Sequence, residues 1–89
     1  MRIEFDKAKR AATIRIRGLD MARAADVFAG PTLTVEDDRQ AYGEARFITI
    51  GFLDNAMGVL VWTPRGDACR VISIGKANDR ERRLYGPRI

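Results

Sequence analysis

The sequence predicts one α+β domain over residues 1–89, with helices packed on an antiparallel sheet as two layers. The first observation is a series of segments between residues 32 and 74 that are rich in β-branched and aromatic residues and separated by Gly, Pro, Asn and Asp. The second is helical patterning at residues 20–28 and 78–85. The predicted order is an N-terminal strand, two helices, a four-stranded antiparallel meander and a C-terminal helix.

The N-terminal segment leaves one ambiguity. Residues 2–5 alternate as a short strand that ends at Asp6, and Asp6 suits the N-cap of a helix that begins at Lys7. Residues 13–17 then alternate in a way that is also typical of a strand. Periodicity therefore allows either a helix that continues to Gly18 or a helix that gives way to a strand, and Gly18 ends the element in both cases.

The second helix has a clearer pattern. Asp20 is its predicted N-cap, and Gly30-Pro31 its end. Its apolar residues fall at i, i+3, i+4 and i+7, which indicates one buried stripe: Met21, Ala24, Ala25 and Phe28. We expect this stripe to be core and not a binding surface.

The meander follows, with predicted strands at residues 32–35, 46–52, 58–63 and from residue 70 onward. Residues 53–58 form a hairpin loop, and residues 64–67 a turn. Residues 36–40 hold three adjacent acidic side chains, but their spacing does not match a calcium-binding loop. We expect these residues to form a solvated turn.

The last strand and helix concentrate positive charge. Asn78 and Glu81 form a capping-box pattern, so the helix begins there and ends at Gly86-Pro87. Residues 65–89 carry seven basic and three acidic side chains, whereas residues 31–64 carry two and five. The basic side chains around this junction predict a surface that binds a polyanion: Arg70, Lys76, Arg80, Arg82 and Arg83.

Composition excludes several chemistries. The chain has no histidine and one cysteine, Cys69, so histidine-dependent triads are excluded and a zinc site is improbable. We expect no cofactor, no metal and a passive thiol. With no apolar run long enough to span a bilayer and no signal-peptide pattern at the start, we expect a cytoplasmic protein that does not bind membranes.

Arginines at strand ends give a candidate site. Arg46, Arg65 and Arg70 lie where strands of one meander begin or end, so they can converge on a phosphodiester. Gly75-Lys76 does not complete a phosphate-binding loop, because Ala77 stands in place of Ser or Thr. Tyr85 suits either stacking on a base or closing the core.

Taken in order, these motifs resemble the BrnT family of toxins from bacterial type II toxin–antitoxin pairs. The matching pieces are Glu4-Phe5-Asp6 with Lys9, Gly18, Ala25-Asp26-Val27-Phe28 with Pro31, Glu44-Ala45-Arg46-Phe47, Ile50-Gly51, Thr63-Pro64-Arg65-Gly66, Arg70-Val71-Ile72-Ser73, Lys76-Ala77, Arg80-Glu81-Arg82 and Tyr85. The resemblance implies a RelE-like fold, helical residues 7–17, and a ribonuclease that arrests translation. It also implies a BrnA-like ribbon-helix-helix antitoxin, whose dimer holds two toxins in a heterotetramer and binds operator DNA.

The resemblance also implies site residues. The catalytic candidates are Arg46, Arg70, Lys76 and Glu81. The substrate-binding candidates are Arg17, Arg65, Ser73, Arg80, Arg82 and Tyr85. RNA is the expected substrate, cleaved through its own 2′-hydroxyl group.

Two positions depart from the family pattern. The family usually has Lys-His-Gly where this chain has Ile16-Arg17-Gly18, and an arginine where this chain has Gly75. Two hypotheses follow: an active endoribonuclease, or a catalytically attenuated toxin fold that still binds antitoxin or RNA. A plain DNA-binding domain is disfavoured, because no helix-turn-helix pattern is present.

Overall fold

A computed structural model describes all of residues 1–89 and gives an α+β fold. The strands are β1 (Arg2–Glu4), β2 (Leu33–Glu36), β3 (Phe47–Leu53), β4 (Ala56–Arg65) and β5 (Ala68–Lys76). The helices are α1 (Lys7–Arg17), α2 (Ala24–Phe28) and α3 (Asp79–Tyr85), with 3-10 turns at Met21–Arg23 and Gly86–Arg88. None of the three α-helices has the length and apolar character that crossing a bilayer requires.

The strands form one mixed sheet in the order β1-β5-β4-β3-β2. Consecutive strands from β2 to β5 pair antiparallel. The sequence predicts the N-terminal strand but not its position in the sheet. This strand, β1, lies at the edge beside β5 and runs parallel to it, pairing Arg2–Glu4 with Ala68–Arg70. The sheet therefore has five strands, with β1 at one edge and β2 at the other.

Helix α1 resolves the two alternatives for residues 13–17 in favour of a helix. The Asp6 side chain accepts a hydrogen bond from the Lys9 amide at 3.0 Å, which caps the first turn. The helix ends at Gly18, whose φ of 70° is a left-handed conformation that glycine adopts without strain. The alternation of Ile14 and Ile16 does not reflect a buried strand face, because both side chains are exposed.

Two hydrophobic clusters lie on opposite faces of the sheet. One packs against α2 and includes Leu60 and Ile74; the other is covered by the C-terminal segment and includes Met57 and Ile50. Neighbouring residues of a strand point to opposite faces, so Leu60 belongs to the first cluster whereas the adjacent Val59 packs against the second. We call the two sides the α2 face and the α3 face. Helices thus cover both sides of the sheet, which the two-layer prediction did not anticipate.

A β-bulge in β5 controls which side chains reach each face. Val61 of β4 pairs with Ser73, but the next residue of β4, Trp62, pairs with Val71, so Ile72 is an extra residue. Val71 and Ile74 are an odd number of residues apart, yet both belong to the cluster on the α2 face. The bulge permits this arrangement, because it shifts the alternation of β5 by one residue.

Gly51 gives a test of the packing between α2 and the sheet. A Cβ atom at Gly51 would lie 2.7 Å from Val27 Cγ1, so we expect Gly51→Ala to push α2 off β3. Overpacking of this kind typically costs about 1–3 kcal/mol in the free energy of unfolding, measurable by urea denaturation. Gly30→Ala is the matched control, since nothing lies within 4 Å of its Cβ position. Equal stability of the two variants would contradict this packing.

Candidate functional site

The candidate site is a row of side chains across three neighbouring strands on the α3 face. Trp62 packs edge to face on Phe28 of α2, with ring centroids 5.6 Å apart, so the next residue, Thr63, points to the opposite face. Arg70 pairs with Thr63 and points the same way. Arg46 directly precedes the residue of β3 that pairs with Trp62, so Arg46 also belongs to the α3 face. Two strand spacings, about 10 Å, therefore separate the Arg46 and Arg70 backbones.

The two arginines belong to two separate ionic triads on this face, which we together call the arginine network: Arg46, Glu44 and Arg65 form one triad, and Arg70, Glu4 and Arg2 form the other. Each carboxylate is shared by two arginines. Glu44 lies 3.4 Å from Arg46 and 3.9 Å from Arg65, whereas Glu4 lies 3.4 Å from Arg2 and 3.8 Å from Arg70. These separations are long for hydrogen bonds, so Arg46, Arg65 and Arg70 keep donor capacity for another anion, whereas Arg2 also binds Asp67 at 2.8 Å.

Arg46 is fixed from two directions. Its guanidinium carbon lies 4.0 Å from the centre of the Tyr42 ring, in a cation–π contact. Its carbonyl oxygen accepts a hydrogen bond from the Asp37 amide at 2.8 Å. The Tyr42 hydroxyl donates to the Asp37 carboxylate at 3.0 Å, so one acidic residue supports both the backbone of Arg46 and the ring beneath its guanidinium.

Asp37 corrects the prediction that residues 36–40 form only a solvated turn. Its side chain is 1% exposed, and Arg39 binds both carboxylate oxygens, at 2.7 and 2.8 Å. The Arg39 guanidinium lowers the pKa of Asp37 to about 2, with a further contribution from the Tyr42 hydroxyl. The loop before β3 is thus built around a buried, ionised carboxylate.

Thr63 forms the floor of the site between the two arginines. It is 2% exposed, and its hydroxyl donates to the Ala45 carbonyl at 2.5 Å, which ties β4 to the segment that leads into Arg46. The Arg46 and Arg70 side chains are 28% and 31% exposed, so both are partly desolvated but open to a ligand. Both side chains therefore remain accessible to an anion on this face.

The expectation that Lys76 shares this surface is wrong. Lys76 pairs with Gly58, which in turn pairs with Gly51, and the Cβ direction of Gly51 points at α2. Lys76 therefore lies on the α2 face, roughly 20 Å along β5 from Arg70. The distribution of charge along the sequence could not predict the face on which Lys76 lies, because the direction of a side chain in β5 depends on the strand register and on the bulge.

Arg17 occupies a third location, at the edge of β5. Its Nη1 donates to the Ile74 carbonyl at 2.9 Å. A Cβ atom on Gly75 would lie 3.2 Å from the same Nη1 atom. The two positions that depart from the family pattern, Arg17 and Gly75, are thus direct neighbours in space.

The candidates on α3 are largely engaged in structural contacts. Glu81 accepts a hydrogen bond from the Asn78 amide at 2.9 Å and completes the predicted capping box. Arg82 donates to the Ala77 carbonyl at 2.5 Å and pairs with Asp79. Tyr85 packs on the cluster beneath α3, whereas Arg80 is exposed. Ser73, in contrast, pairs with Val61 two residues before Thr63, so it belongs to the α3 face beside the network.

Cys69 is not a candidate nucleophile. It is buried in the cluster on the α2 face. Burial raises the pKa of its thiol to about 11, so the thiolate is a negligible fraction at neutral pH.

Sequence reasoning missed Glu4, Asp37, Tyr42, Glu44 and Thr63 as parts of the site. The spacing of Glu44 and Arg46 gave a usable indication, since residues two apart on an extended segment point the same way. Glu4 had no such indication, because its proximity to Arg70 depends on the parallel pairing of β1 with β5.

Half-buried arginines that share one face of a sheet are chemically suited to binding an anion. A family model described as "Ribonuclease toxin, BrnT, of type II toxin-antitoxin system" matches residues 5–81. The chain therefore belongs to the BrnT family of ribonuclease toxins. No curated protein matches it significantly.

Asp37→Asn tests the support beneath Arg46. The folded state lowers the pKa of Asp37 to about 2, so its ionised form stabilises the fold above its unfolded pKa, about 3.9. That contribution disappears as the pH falls towards 2. We expect the stability difference between wild type and Asp37→Asn in urea denaturation to be largest above pH 5 and to shrink between pH 4 and 2. Asp38→Asn, at the exposed neighbouring position, is the control. A pH-independent difference would contradict the assignment.

Proposed function

We propose that this chain is an endoribonuclease that cleaves RNA at the arginine network and thereby inhibits translation. Membership of the family supplies the class, a ribonuclease toxin. The observation that supports this location is the pair of half-buried arginines, Arg46 and Arg70, on either side of buried Thr63. Guanidinium groups bind a phosphodiester bidentately and stabilise the charge that builds on it during cleavage.

The proposed reaction uses the 2′-hydroxyl group of the RNA. The 2′-oxygen attacks the adjacent phosphorus, and the bond from phosphorus to the 5′-oxygen of the next nucleotide breaks. The products are a 2′,3′-cyclic phosphate and a 5′-hydroxyl, with one proton lost from the nucleophile and one gained by the leaving group. Arg46 and Arg70 donate to the non-bridging oxygens, whose charge increases as the new bond forms.

We assign the proton acceptor to a carboxylate of the network, Glu4 or Glu44, each of which lies beside an arginine of the pair. Of the other two catalytic candidates from the sequence, Lys76 lies on the opposite face and Glu81 caps α3. Arg65 and Ser73 adjoin the pair and serve as substrate contacts in this proposal. Arg80, being exposed, contacts a more distant RNA phosphate.

We further propose that the layout is RelE-like and that the partner is a ribbon-helix-helix antitoxin of the BrnA kind. The type II description of the family implies an antitoxin. In this proposal an antitoxin dimer holds two toxins and binds operator DNA, and the complex acts in the cytoplasm, where translation takes place.

A second candidate function, a catalytically attenuated binding module, is supported by Gly75. The Arg17 guanidinium lies beside Gly75 but is bonded to the Ile74 carbonyl, so Arg17 is not free to act as an arginine at position 75 would. Such a protein retains the arginine network and binds RNA or antitoxin, but cleaves RNA slowly.

Alanine substitution tests the arginine pair. Loss of one preorganised donor typically reduces the rate by about 10²–10³, so we expect Arg46→Ala and Arg70→Ala each to reduce kcat for RNA cleavage by that factor. Arg15→Ala, on exposed helix α1, serves as the control and keeps the wild-type rate. Cleavage is followed on a labelled single-stranded RNA, and an oligonucleotide with one 2′-deoxy position should resist cleavage there. Full activity of both alanine variants would refute the assignment.

Gly75→Arg tests attenuation. A Cβ atom at this position meets only the flexible end of Arg17, and we expect the arginine to raise the cleavage rate by about tenfold or more. Gly75→Gln has a long uncharged side chain and controls for bulk. If Gly75→Arg cleaves RNA no faster than wild type, the hypothesis that Gly75 attenuates the activity is wrong.

A further inference from the structure

A groove separates α1 from the part of β5 that no strand covers. β1 pairs only with Ala68–Arg70, so the outer edge of residues 72–76 lacks a strand neighbour. The groove is about 350 Å³ in volume. Its principal walls are Lys9, Ile16 and Arg17 of α1, with Met21, Ile72 and Ser73 opposite.

Helix α1 has an unpartnered apolar side chain at this groove. None of its residues is fully buried, and Ile16 is 74% exposed. Ile72, the bulged residue of β5, faces the groove from the other side. Apolar walls that remain open to solvent are typical of a surface that another macromolecule covers.

The charge of the groove restricts the partner. Helix α1 carries five basic residues and no acidic residue. Arg10 is already paired with Asp20 at 2.7 Å, whereas Lys9 and Arg17 line the groove. These two residues are eight positions apart, about 12 Å along the helix. The groove thus combines apolar walls with two separated cations.

The edge of β5 does not favour an added strand. Arg17 Nη1 already bonds the Ile74 carbonyl, an acceptor that a pairing strand would need. An occupant must therefore insert side chains between α1 and β5 instead of extending the sheet.

We propose that this groove binds the antitoxin, through an acidic amphipathic segment that places an apolar side chain between Ile16 and Ile72 and carboxylates beside Lys9 and Arg17. The inference depends on the toxin–antitoxin assignment. RNA fits less well, since half of the lining is hydrophobic. Ser73 lies in the groove wall and also beside the arginine network, so an occupant is placed to obstruct access to the network.

The test uses matched substitutions on one helix. The full-length chain is co-expressed with the product of the adjacent reading frame, taken as the cognate antitoxin, and the affinity of the purified pair is measured. We expect Ile16→Glu and Lys9→Glu each to weaken binding by about 30-fold or more, as at a hot-spot position. Ile14→Glu and Arg15→Glu lie on the same helix outside the groove, and should keep wild-type affinity. Thermal unfolding of each variant confirms that α1 is intact.

A photo-crosslinking amino acid at position 16 gives an independent measurement, because it needs no loss of affinity. It should crosslink to the antitoxin, whereas the same group at position 14 should not. Equal crosslinking at both positions, or full affinity of Ile16→Glu, would overturn the proposal. A raised KM for RNA with unchanged antitoxin affinity would also overturn it, and would assign the groove to RNA. If wild-type chain cleaves no RNA but the groove variants lose antitoxin, the nuclease assignment fails and the docking site stands.

Discussion

The extra residue in β5, Ile72, is the constraint on which the arrangement of this protein depends. A shift of one residue in a strand moves every later side chain to the other face. The bulge introduces such a shift between Arg70 and Ser73, so both residues belong to the α3 face while Val71 and Ile74 both pack towards α2. Without it, one end of β5 would have to expose its apolar residues or bury an arginine, and burial of an unpaired charge is strongly unfavourable.

The site combines rigid support with weakly satisfied charge. Buried Asp37 orders the loop that carries Tyr42, and Tyr42 lies against the guanidinium of Arg46. The carboxylates of Glu4 and Glu44 offset part of the positive charge, but each is shared by two arginines at 3.4–3.9 Å. In the proposed function, an arriving phosphate gains charge-assisted hydrogen bonds with Arg46 and Arg70 without first breaking a tight ion pair, which is the condition for a preorganised anion site.

Local chemistry allowed most elements to be predicted, because caps and hydrophobic periods act over a few residues. The capping box of α3 and the left-handed Gly18 are examples. The parallel pairing of β1, the bulge and the direction of Lys76 depend on contacts between residues far apart in sequence, for which one sequence gives no pattern. The burial of Asp37 was not predicted for a related reason. Three adjacent acidic residues are typical of a solvent-exposed turn, and only the contacts with Arg39 and Tyr42 make burial of one of them favourable.

The edge of β5 links the residue at position 75 to the stability of the fold. An uncovered strand edge promotes pairing with other chains, and proteins commonly protect such edges with charged side chains. Arg17 does so by bonding the Ile74 carbonyl, and its guanidinium fits there because Gly75 has no side chain. A large residue at position 75 would have to share that space. The chain therefore couples protection of its exposed edge to the absence of a side chain at position 75, and a substitution that places a cation there must find another way to cover the edge.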